Sequence, residues 1–218
     1  MMLMIFALKI LVAYLLGSIV GSLVVGRLRG GVDIRTLGSG NAGSTNALRT
    51  QGPAFAIWVI VIDVAKGWIA ASLLPTLVFP GNAPPTPSAA AWLPAACGFA
   101  AIIGHVFPVW HGFRGGKGVA TLVGAFAGID LFLLVPLFAS WLAVVMVSGF
   151  VGLASITASL AIVVYLLMRD GAHLTPTLGF ALACAALVIY THRANVRRMR
   201  QGVEPRARKL WLFGRDQT

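Results

Sequence analysis

One stretch of the sequence, GSGNAGSTNALR, has the composition of an anion-binding loop. Its closely spaced glycines allow successive backbone N–H groups to turn toward one point and form a nest for an anion. Ser39, Asn41, Thr45 and Asn46 add neutral polar groups, and Arg49 adds a planar cation that suits phosphate. A phosphate-binding loop and a flexible polar loop both fit this segment.

A second glycine-rich stretch reads GHVFPVWHGFRGGKGVAT and leads from one apolar run into another. Gly115, Gly116 and Lys117 precede a predicted helix, so backbone N–H groups and a cation gather at a helix N-terminus, where anions bind. The pattern is not that of a nucleotide-binding P-loop, which requires Gly in place of His111 and Ser or Thr in place of Gly118. A phosphate site and a basic turn both remain open.

A third polar group, HRAN, follows the last apolar run. On a continuing helix, His192 and Asn195 are three positions apart and share a face. A histidine that titrates near neutrality can donate to a phosphate or carry a proton, but a histidine that only ends a helix fits as well. Ser155, near the start of an earlier apolar run, offers a hydroxyl at the end of its predicted helix.

The composition indicates that these polar groups are positioned by membrane-spanning helices. The chain has 218 residues, of which 58% are hydrophobic and only 11% are charged, and its mean hydropathy is +0.88. About a quarter of the residues in a soluble domain are charged. We therefore predict an all-α, polytopic membrane helix bundle that forms one domain over residues 1–218, with a basic tail at 193–218.

The apolar runs predict about seven transmembrane helices, since a span needs roughly 20 apolar residues. A proline-rich loop is expected at 75–88, and Asp130 is expected to divide one long apolar run into two short helices. The runs cover residues 1–25, 53–74, 89–107, 119–147, 151–168 and 174–190.

Two ionisable residues, Asp63 and Lys66, lie three positions apart inside the second run. Because charges are costly at that depth, we expect a structural ion pair that faces the bundle interior. Cys97 and Cys184 fall in apolar stretches and are expected to pack as small residues, and no Cys/His cluster suggests a metal.

The distribution of positive charge orients the predicted spans. The net charge is +11, and the segments 26–52, 105–118, 148–154 and 191–218 together hold 14 of the 17 Lys and Arg residues. The positive-inside rule then places the N-terminus outside and the C-terminus in the cytoplasm, with the polar motifs on the cytoplasmic face. Since the basic residues alternate with apolar runs and no groove-reading module is present, nucleic-acid binding is not expected.

In this order and between these spans, the three motifs resemble those of the bacterial acyl-phosphate:glycerol-3-phosphate acyltransferases. The resemblance covers essentially the whole chain, including DVAKG in the second span and VEP after the HRAN group. Small departures from the common family residues are Ala42, Ser44, Gly152 and Thr191. The resemblance implies a multi-pass enzyme of the bacterial inner membrane, with its active site facing the cytoplasm, that begins phospholipid synthesis.

The resemblance also implies the reaction and the site. A fatty acyl group passes from acyl phosphate to the 1-hydroxyl of sn-glycerol 3-phosphate, giving lysophosphatidic acid and phosphate. No cofactor or metal is implied; the partners are the two substrates and membrane lipids, and a monomer is expected. The residues expected to be catalytic are Ser39, Lys117, His192 and Asn195, and those expected to bind substrate are Ser39, Gly40, Asn41, Thr45, Asn46, Arg49, Gly115, Gly116, Lys117, Ser155, His192 and Asn195.

The chemistry of these residues fits two phosphate-bearing substrates. Acyl phosphate is a mixed anhydride with a good leaving group, so the protein must align the hydroxyl with the carbonyl and stabilise the developing charge. The three motifs contain no obvious carboxylate base. The hypothesis is that the departing phosphate takes the hydroxyl proton, with His192 as the alternative base.

Two other functions are compatible with a basic, polytopic membrane protein. A transporter for phosphate compounds would need polar groups near the midplane, where only Asp63 and Lys66 qualify. An acyltransferase that uses thioester donors would be expected to carry His followed by four residues and Asp. None of the four histidines has Asp or Glu five positions later.

Overall fold

The computed structural model describes residues 2–78 and 86–214, and the described residues are helical without strands. The all-α prediction is therefore confirmed. Half of the predicted proline-rich loop, residues 79–85, lies outside the described residues, as does Arg215 of the basic tail. The chain forms two compact units, one ending at Leu131 and the other beginning at Phe132.

The N-terminal unit contains six α-helices among its described residues. Helix α4 continues through a π-helical turn, Ile69–Leu73, and a short 3-10 turn, Leu74–Thr76. The six are α1 (Met2–Gly17), α2 (Gly21–Leu28), α3 (Ser44–Gln51), α4 (Pro53–Trp68), α5 (Pro87–Val106) and α6 (Val119–Ile129).

The C-terminal unit contains four helices among its described residues. Helices α7 and α8 are separated only by Gly149 and Phe150, and the axes of α9 and α10 differ by 50°. The four are α7 (Leu134–Ser148), α8 (Val151–Asp170), α9 (Pro176–Thr191) and α10 (Arg193–Arg200).

Glycines allow two pairs of helices in the N-terminal unit to approach at backbone distance. A Cβ atom at Gly104 of α5 would overlap the carbonyl oxygen of Tyr14 in α1, and one at Gly124 of α6 would overlap the carbonyl oxygen of Val64 in α4. Small residues at such positions are how membrane helices gain close van der Waals contact without a hydrophobic driving force. These contacts hold α5 and α6, the two helices that flank the second glycine-rich motif.

The first apolar run is not the single helix that the sequence predicted. Helix α1 ends at Gly17 and α2 begins at Gly21, and the axes of the two helices differ by 47°. The break is stabilised from α4: Lys66 Nζ donates to the carbonyls of Gly17 (2.9 Å) and Ile19 (2.7 Å), and Asp63 Oδ1 accepts from the Gly21 N–H (3.0 Å). Because these groups are paired, the buried break leaves few polar atoms unsatisfied.

The predicted division at Asp130 is present. Helix α6 ends at Ile129, Asp130 has an extended backbone, and a 3-10 turn, Leu131–Leu133, leads into α7. Among the described residues, four helices are long and apolar enough to cross a membrane, or six if each bent pair is one span. Helix α6 is apolar but has only 11 residues, fewer than the roughly 20 that a straight span needs.

Large apolar side chains are exposed along the spans in both units. Trp58 of α4 is 57% exposed, Val135 of α7 is 66% exposed and Met168 of α8 is 82% exposed. Apolar surface this extensive is not stable in water and is typical of helices that face lipid. The chain is therefore a helical integral membrane protein.

Candidate active site

The first glycine-rich motif is folded around the side chain of Asn46, which is only 2% exposed. Its Nδ2 group lies within hydrogen-bond distance of the carbonyls of Ile34 (2.9 Å), Leu37 (3.0 Å) and Asn41 (3.0 Å), and its Oδ1 accepts from the Ser39 N–H (3.0 Å). Both polar atoms of this amide are thus engaged with the loop backbone. Asn46 determines the shape of the loop that presents Ser39.

The loop requires glycine at two positions. Gly38 and Gly40 have φ of 56° and 70°, in the left-handed region where a Cβ is disfavoured. A Cβ at Gly38 would also overlap Asn46 Oδ1. The Ser22 hydroxyl donates to the Ala42 carbonyl (2.7 Å) and anchors the loop to α2.

The other predicted ligands of this motif lie at or near the protein surface. Ser39 is exposed and Asn41 is half-buried. Helix α3 begins two residues after Ala42 and presents Thr45 in its first turn and Arg49 in its last, both exposed. Side chains so placed are accessible to a soluble phosphate compound.

The second glycine-rich motif folds back on the end of α5. The Gly115 N–H donates to the Val106 carbonyl (3.1 Å), and the Gly116 N–H donates to the His105 carbonyl (3.1 Å). A Cβ at Gly115 would overlap the His105 carbonyl oxygen, and a Cβ at Gly116 would overlap His105 Nε2. Glycine is therefore required at both positions so that the loop can lie against the histidine.

The turn delivers Lys117 to the start of α6. Gly118 takes a left-handed conformation (φ 83°) as the N-cap residue, and its carbonyl accepts the first helical hydrogen bond, from Leu122 (2.8 Å). Lys117, immediately before this cap, is half-buried. The predicted combination of a cation with the N-terminal end of a helix is present, and such an arrangement favours an anion.

Arg35, which the sequence analysis did not single out, joins the two motifs. Its guanidinium pairs with Asp33 (2.7 Å from Nη2 to Oδ2) and its Nη1 donates to the carbonyls of His111 (3.2 Å) and Arg114 (3.0 Å). The hydrogen bond from Arg35 holds the pKa of Asp33 below its usual range, so the pair stays ionised at neutral pH. The first loop is thereby tied to the second.

A buried cluster lies beneath the second motif. Lys66 Nζ is 2.9 Å from Asp63 Oδ1 and 2.8 Å from His105 Nδ1, and His105 Nδ1 is 3.3 Å from Asp63 Oδ1. All three side chains are at most 3% exposed. The ion pair predicted for Asp63 and Lys66 is confirmed, and His105 is an additional member that the sequence did not reveal.

In the C-terminal unit, His192 sits at the bend between α9 and α10, so the helix does not continue straight as the sequence interpretation assumed. Its Nδ1 lies 2.8 Å from the Val188 carbonyl, which can only accept, so Nδ1 carries the proton. A neutral ring then has its lone pair on Nε2. His192 is 3% exposed.

Asn195 is held by the carboxylate of Glu204, the acidic residue of the VEP segment. Its Nδ2 donates to Glu204 Oε1 (2.5 Å), and Arg198 Nε donates to Glu204 Oε2 (2.6 Å). A Cβ at Gly152 would lie 3.0 Å from Asn195 Cβ, so α8 packs tightly there. Ser155, also on α8, is buried and donates to the Val151 carbonyl (2.9 Å).

The apolar helices define a multi-span membrane protein, and the glycine-rich, basic loops are its candidate site for an anion. Residues 7–202 match the family described as glycerol-3-phosphate acyltransferase. A glycerol-3-phosphate acyltransferase from Thioalkalivibrio sulfidiphilus is 42% identical over 199 residues, covering 90% of this chain and 91% of that protein. One from Bacillus velezensis is 39% identical over 203 residues, covering 93% and 98%.

The solved structures agree with the sequence comparisons. The crystal structure of PlsY (YgiH), an integral membrane glycerol 3-phosphate acyltransferase, in its glycerol 3-phosphate form has a TM-score of 0.77 and 33% identity, covering 92% of this chain and 94% of that one. The lysophosphatidic acid form of PlsY gives the same values. The chain belongs to the glycerol-3-phosphate acyltransferase family and is an acyltransferase.

Arg35 gives a direct test of how the two loops depend on each other. Lysine can replace the charge of arginine but not the planar group that contacts a carboxylate and two carbonyls. We expect Arg35→Lys to lower kcat/KM for glycerol 3-phosphate about tenfold, the scale of one lost charge-assisted hydrogen bond. Initial rates of acyl transfer in detergent or vesicles measure this effect.

The matched control is Arg29→Lys, because Arg29 is exposed and lies between α2 and the same loop. It should retain wild-type kcat/KM. If Arg35→Lys also retained it, with an unchanged thermal unfolding midpoint, the bridge would have no part in shaping the site.

Proposed function

We propose that this acyltransferase uses acyl phosphate as its donor and transfers the fatty acyl group to the 1-hydroxyl of sn-glycerol 3-phosphate. Lysophosphatidic acid and inorganic phosphate are the products, and the reaction opens bacterial phospholipid synthesis. The observation that carries the proposal is the pair of glycine-rich loops bridged by Arg35, one ending in Lys117 at the start of α6. The glycerol 3-phosphate and lysophosphatidic acid forms of PlsY support the acceptor and the product.

The predicted site residues are assigned to the two phosphates and to the reacting groups. Lys117, His192, Ser39 and Asn195 are proposed to be catalytic, and the two glycine loops to bind phosphate through backbone N–H groups and cations. The exposed Arg49 adds a cation, whereas Asn46 and Ser155 contribute through buried hydrogen bonds. The full set for substrate binding is Ser39, Gly40, Asn41, Thr45, Asn46, Arg49, Gly115, Gly116, Lys117, Ser155, His192 and Asn195, with no metal or cofactor.

The reaction is a direct acyl transfer. The 1-hydroxyl oxygen attacks the carbonyl carbon, the bond from that carbon to the phosphate oxygen breaks, and the hydroxyl proton passes to the departing phosphate. Cations and backbone donors stabilise the oxyanion and the leaving group. His192 is the alternative acceptor of this proton, and its Nε2 is the nitrogen that could take it, since Nδ1 donates to the Val188 carbonyl.

We further propose that the chain works as a monomer and as a single membrane-integral domain with a basic tail at 193–218. It would lie in the bacterial inner membrane, with seven crossings, the N-terminus outside and the active site in the cytoplasm. The concentration of Lys and Arg in 26–52, 105–118 and 191–218 supports this orientation. The break at Asp130 supports the seventh crossing, because it divides the long apolar run into two helices.

The orientation is tested with reporters fused to the C-terminus. A green fluorescent protein fusion should fluoresce and an alkaline phosphatase fusion should be inactive, because the tail is in the cytoplasm. As the control, fusion of the same reporters after residue 172, between α8 and α9, should give the reverse pattern. An active phosphatase at the C-terminus would mean an even number of crossings or an inverted protein.

The donor is identified with purified protein and radiolabelled glycerol 3-phosphate. Palmitoyl phosphate should give lysophosphatidic acid, whereas palmitoyl-CoA should not, because the site is built for a phosphate leaving group. Thin-layer chromatography separates the product from the substrate. Product formed from the thioester alone would refute the proposed donor while leaving the family assignment intact.

Removal of the cation at the start of α6 should abolish turnover. We expect Lys117→Ala to lower kcat/KM by at least about a hundredfold, the usual scale for a group that stabilises transition-state charge. Arg114→Ala is the matched control, because its exposed cation belongs to the same loop. Comparable activity of Lys117→Ala and Arg114→Ala would place the phosphate elsewhere.

A further inference from the structure

The chain that follows α10 folds back onto the turn between α7 and α8, within the C-terminal unit. The Ala207 N–H donates to the Gly149 carbonyl (2.7 Å), and Trp211 Nε1 donates to the Val147 carbonyl (3.1 Å). Both acceptors are main-chain groups at the end of α7. Residues 201–213, which we call the tail segment, are therefore a docked element and not only a run of positive charge.

Aromatic contacts hold one cation of the tail segment in place. The Cζ atom of Arg206 lies 4.6 Å from the centre of the Phe150 ring and 4.1 Å from that of the Trp211 ring. A planar guanidinium that stacks on rings still presents its N–H groups at its edge. Arg206 and Arg208 are exposed, and no described residue accepts a hydrogen bond from either guanidinium. Arg206 thus offers several fixed donors to an anion.

The tail segment also forms an open cleft of about 490 Å³, a volume in the range of ligand pockets. Its lining includes Val203, Pro205, Arg206, Arg208 and Trp211. The acidic residue of the lining, Glu204, is buried, and its carboxylate is paired with Arg198 at 2.6 Å. The cleft therefore presents a positive surface to a ligand.

The cleft lies beside the end of a helix that faces lipid. The apolar stretch Leu131–Ser148 has 18 residues, which as a helix is about 27 Å long, close to the roughly 30 Å of the hydrocarbon core. Val147, in its last turn, is 62% exposed. Trp211 lines the cleft and is bonded to Val147, so the cleft is at the level of the lipid headgroups, where tryptophan is enriched.

We propose that this cleft binds the phosphate group of an anionic phospholipid, with Arg206 as the main donor and Arg208 as a second cation. The edge of a guanidinium can donate two parallel hydrogen bonds to phosphate oxygens. Leu212 and Phe213 are large, exposed apolar residues next to the cleft, and they can contact the acyl chains. A zwitterionic headgroup brings its own ammonium group and gains less from two cations.

The inference is independent of the proposed acyl transfer, because none of the cleft residues that bind the lipid belongs to the set assigned to that reaction. Soluble phosphate compounds share the phosphate chemistry. They do not share the apolar contact, because they carry no acyl chains for the exposed side chains of the tail segment. The position at the end of a lipid-facing helix therefore favours a lipid.

The site is tested by titrating the purified full chain in detergent with dioleoyl phosphatidylglycerol or dioleoyl phosphatidylcholine and counting bound lipid by native mass spectrometry. Wild-type protein should bind phosphatidylglycerol more tightly than phosphatidylcholine. We expect Arg206→Gln to weaken phosphatidylglycerol binding about tenfold, the scale of one lost charge-assisted interaction. Arg208→Gln, which leaves the aromatic stack in place, should weaken it about threefold.

The matched control is Arg169→Gln, at the other end of α8. Arg169 also lies over a ring, 5.5 Å from the centre of Tyr165, but its guanidinium is already paired with Asp170 at 2.7 Å. This variant should bind phosphatidylglycerol as the wild type does. Equal binding of the two lipids by the wild type, or full affinity for phosphatidylglycerol in Arg206→Gln, would overturn the inference.

A measurement on the wild-type protein covers the case in which the variants do not fold. Amide hydrogen exchange in residues 201–213 should slow when phosphatidylglycerol is added and should not change with phosphatidylcholine or with inorganic phosphate. Protection by inorganic phosphate equal to that by phosphatidylglycerol would assign the cleft to a soluble ligand and overturn the inference. Absence of protection by phosphatidylglycerol would overturn it as well.

Discussion

The ion pair between Asp63 and Lys66 joins elements that are far apart in the sequence. Lys66 binds the carbonyls at the end of α1, and Asp63 binds the first N–H of α2, so the break between these helices is held from α4. Removing one partner of such a buried pair leaves an uncompensated charge and costs about 3–5 kcal/mol. The same pair reaches His105 at the end of α5. The buried ion pair of α4 therefore positions three other helices, α1, α2 and α5.

Backbone packing extends this organisation to the loops. Because Gly115 and Gly116 have no side chains, the second motif can lie against His105 and hydrogen-bond to the last carbonyls of α5. Asn46 plays the corresponding part in the first motif, where one side-chain amide satisfies several groups of the loop backbone. Arg35 then connects the loops through carbonyl oxygens. The candidate site thus depends mainly on main-chain contacts, which explains why glycine is so frequent in it.

Much of the fold could be predicted from the sequence, because apolar runs and charge breaks are local properties. The helical class, the break at Asp130 and the pairing of Asp63 with Lys66 all followed from spacing and composition. The break after Gly17 could not be predicted, since it depends on side chains some fifty positions away that satisfy its backbone groups. The apolar run itself contains no local signal of such a remote partner.

The residues of the candidate site show the same division between local and remote signals. The glycine loops and Lys117 at a helix start were predicted because their order along the chain produces their geometry. Arg35 was missed, because its contacts at His111 and Arg114 are to carbonyls, and any residue type supplies a carbonyl. Glu204, which fixes Asn195, had no signal beyond being an acidic residue in a basic tail.

A protein that binds phosphate with few cations must use donors whose position is fixed before the ligand arrives. Flexible charged side chains lose rotamer freedom on binding, whereas a glycine loop held by Asn46 and a turn packed on His105 have already lost it during folding. The buried contacts beneath the loops therefore compensate, during folding, for the conformational entropy that the loops lose. Preorganised N–H groups can then stabilise charge that develops in the transition state without reorganising. The buried polar cluster and the two glycine motifs therefore form one assembly in the N-terminal unit.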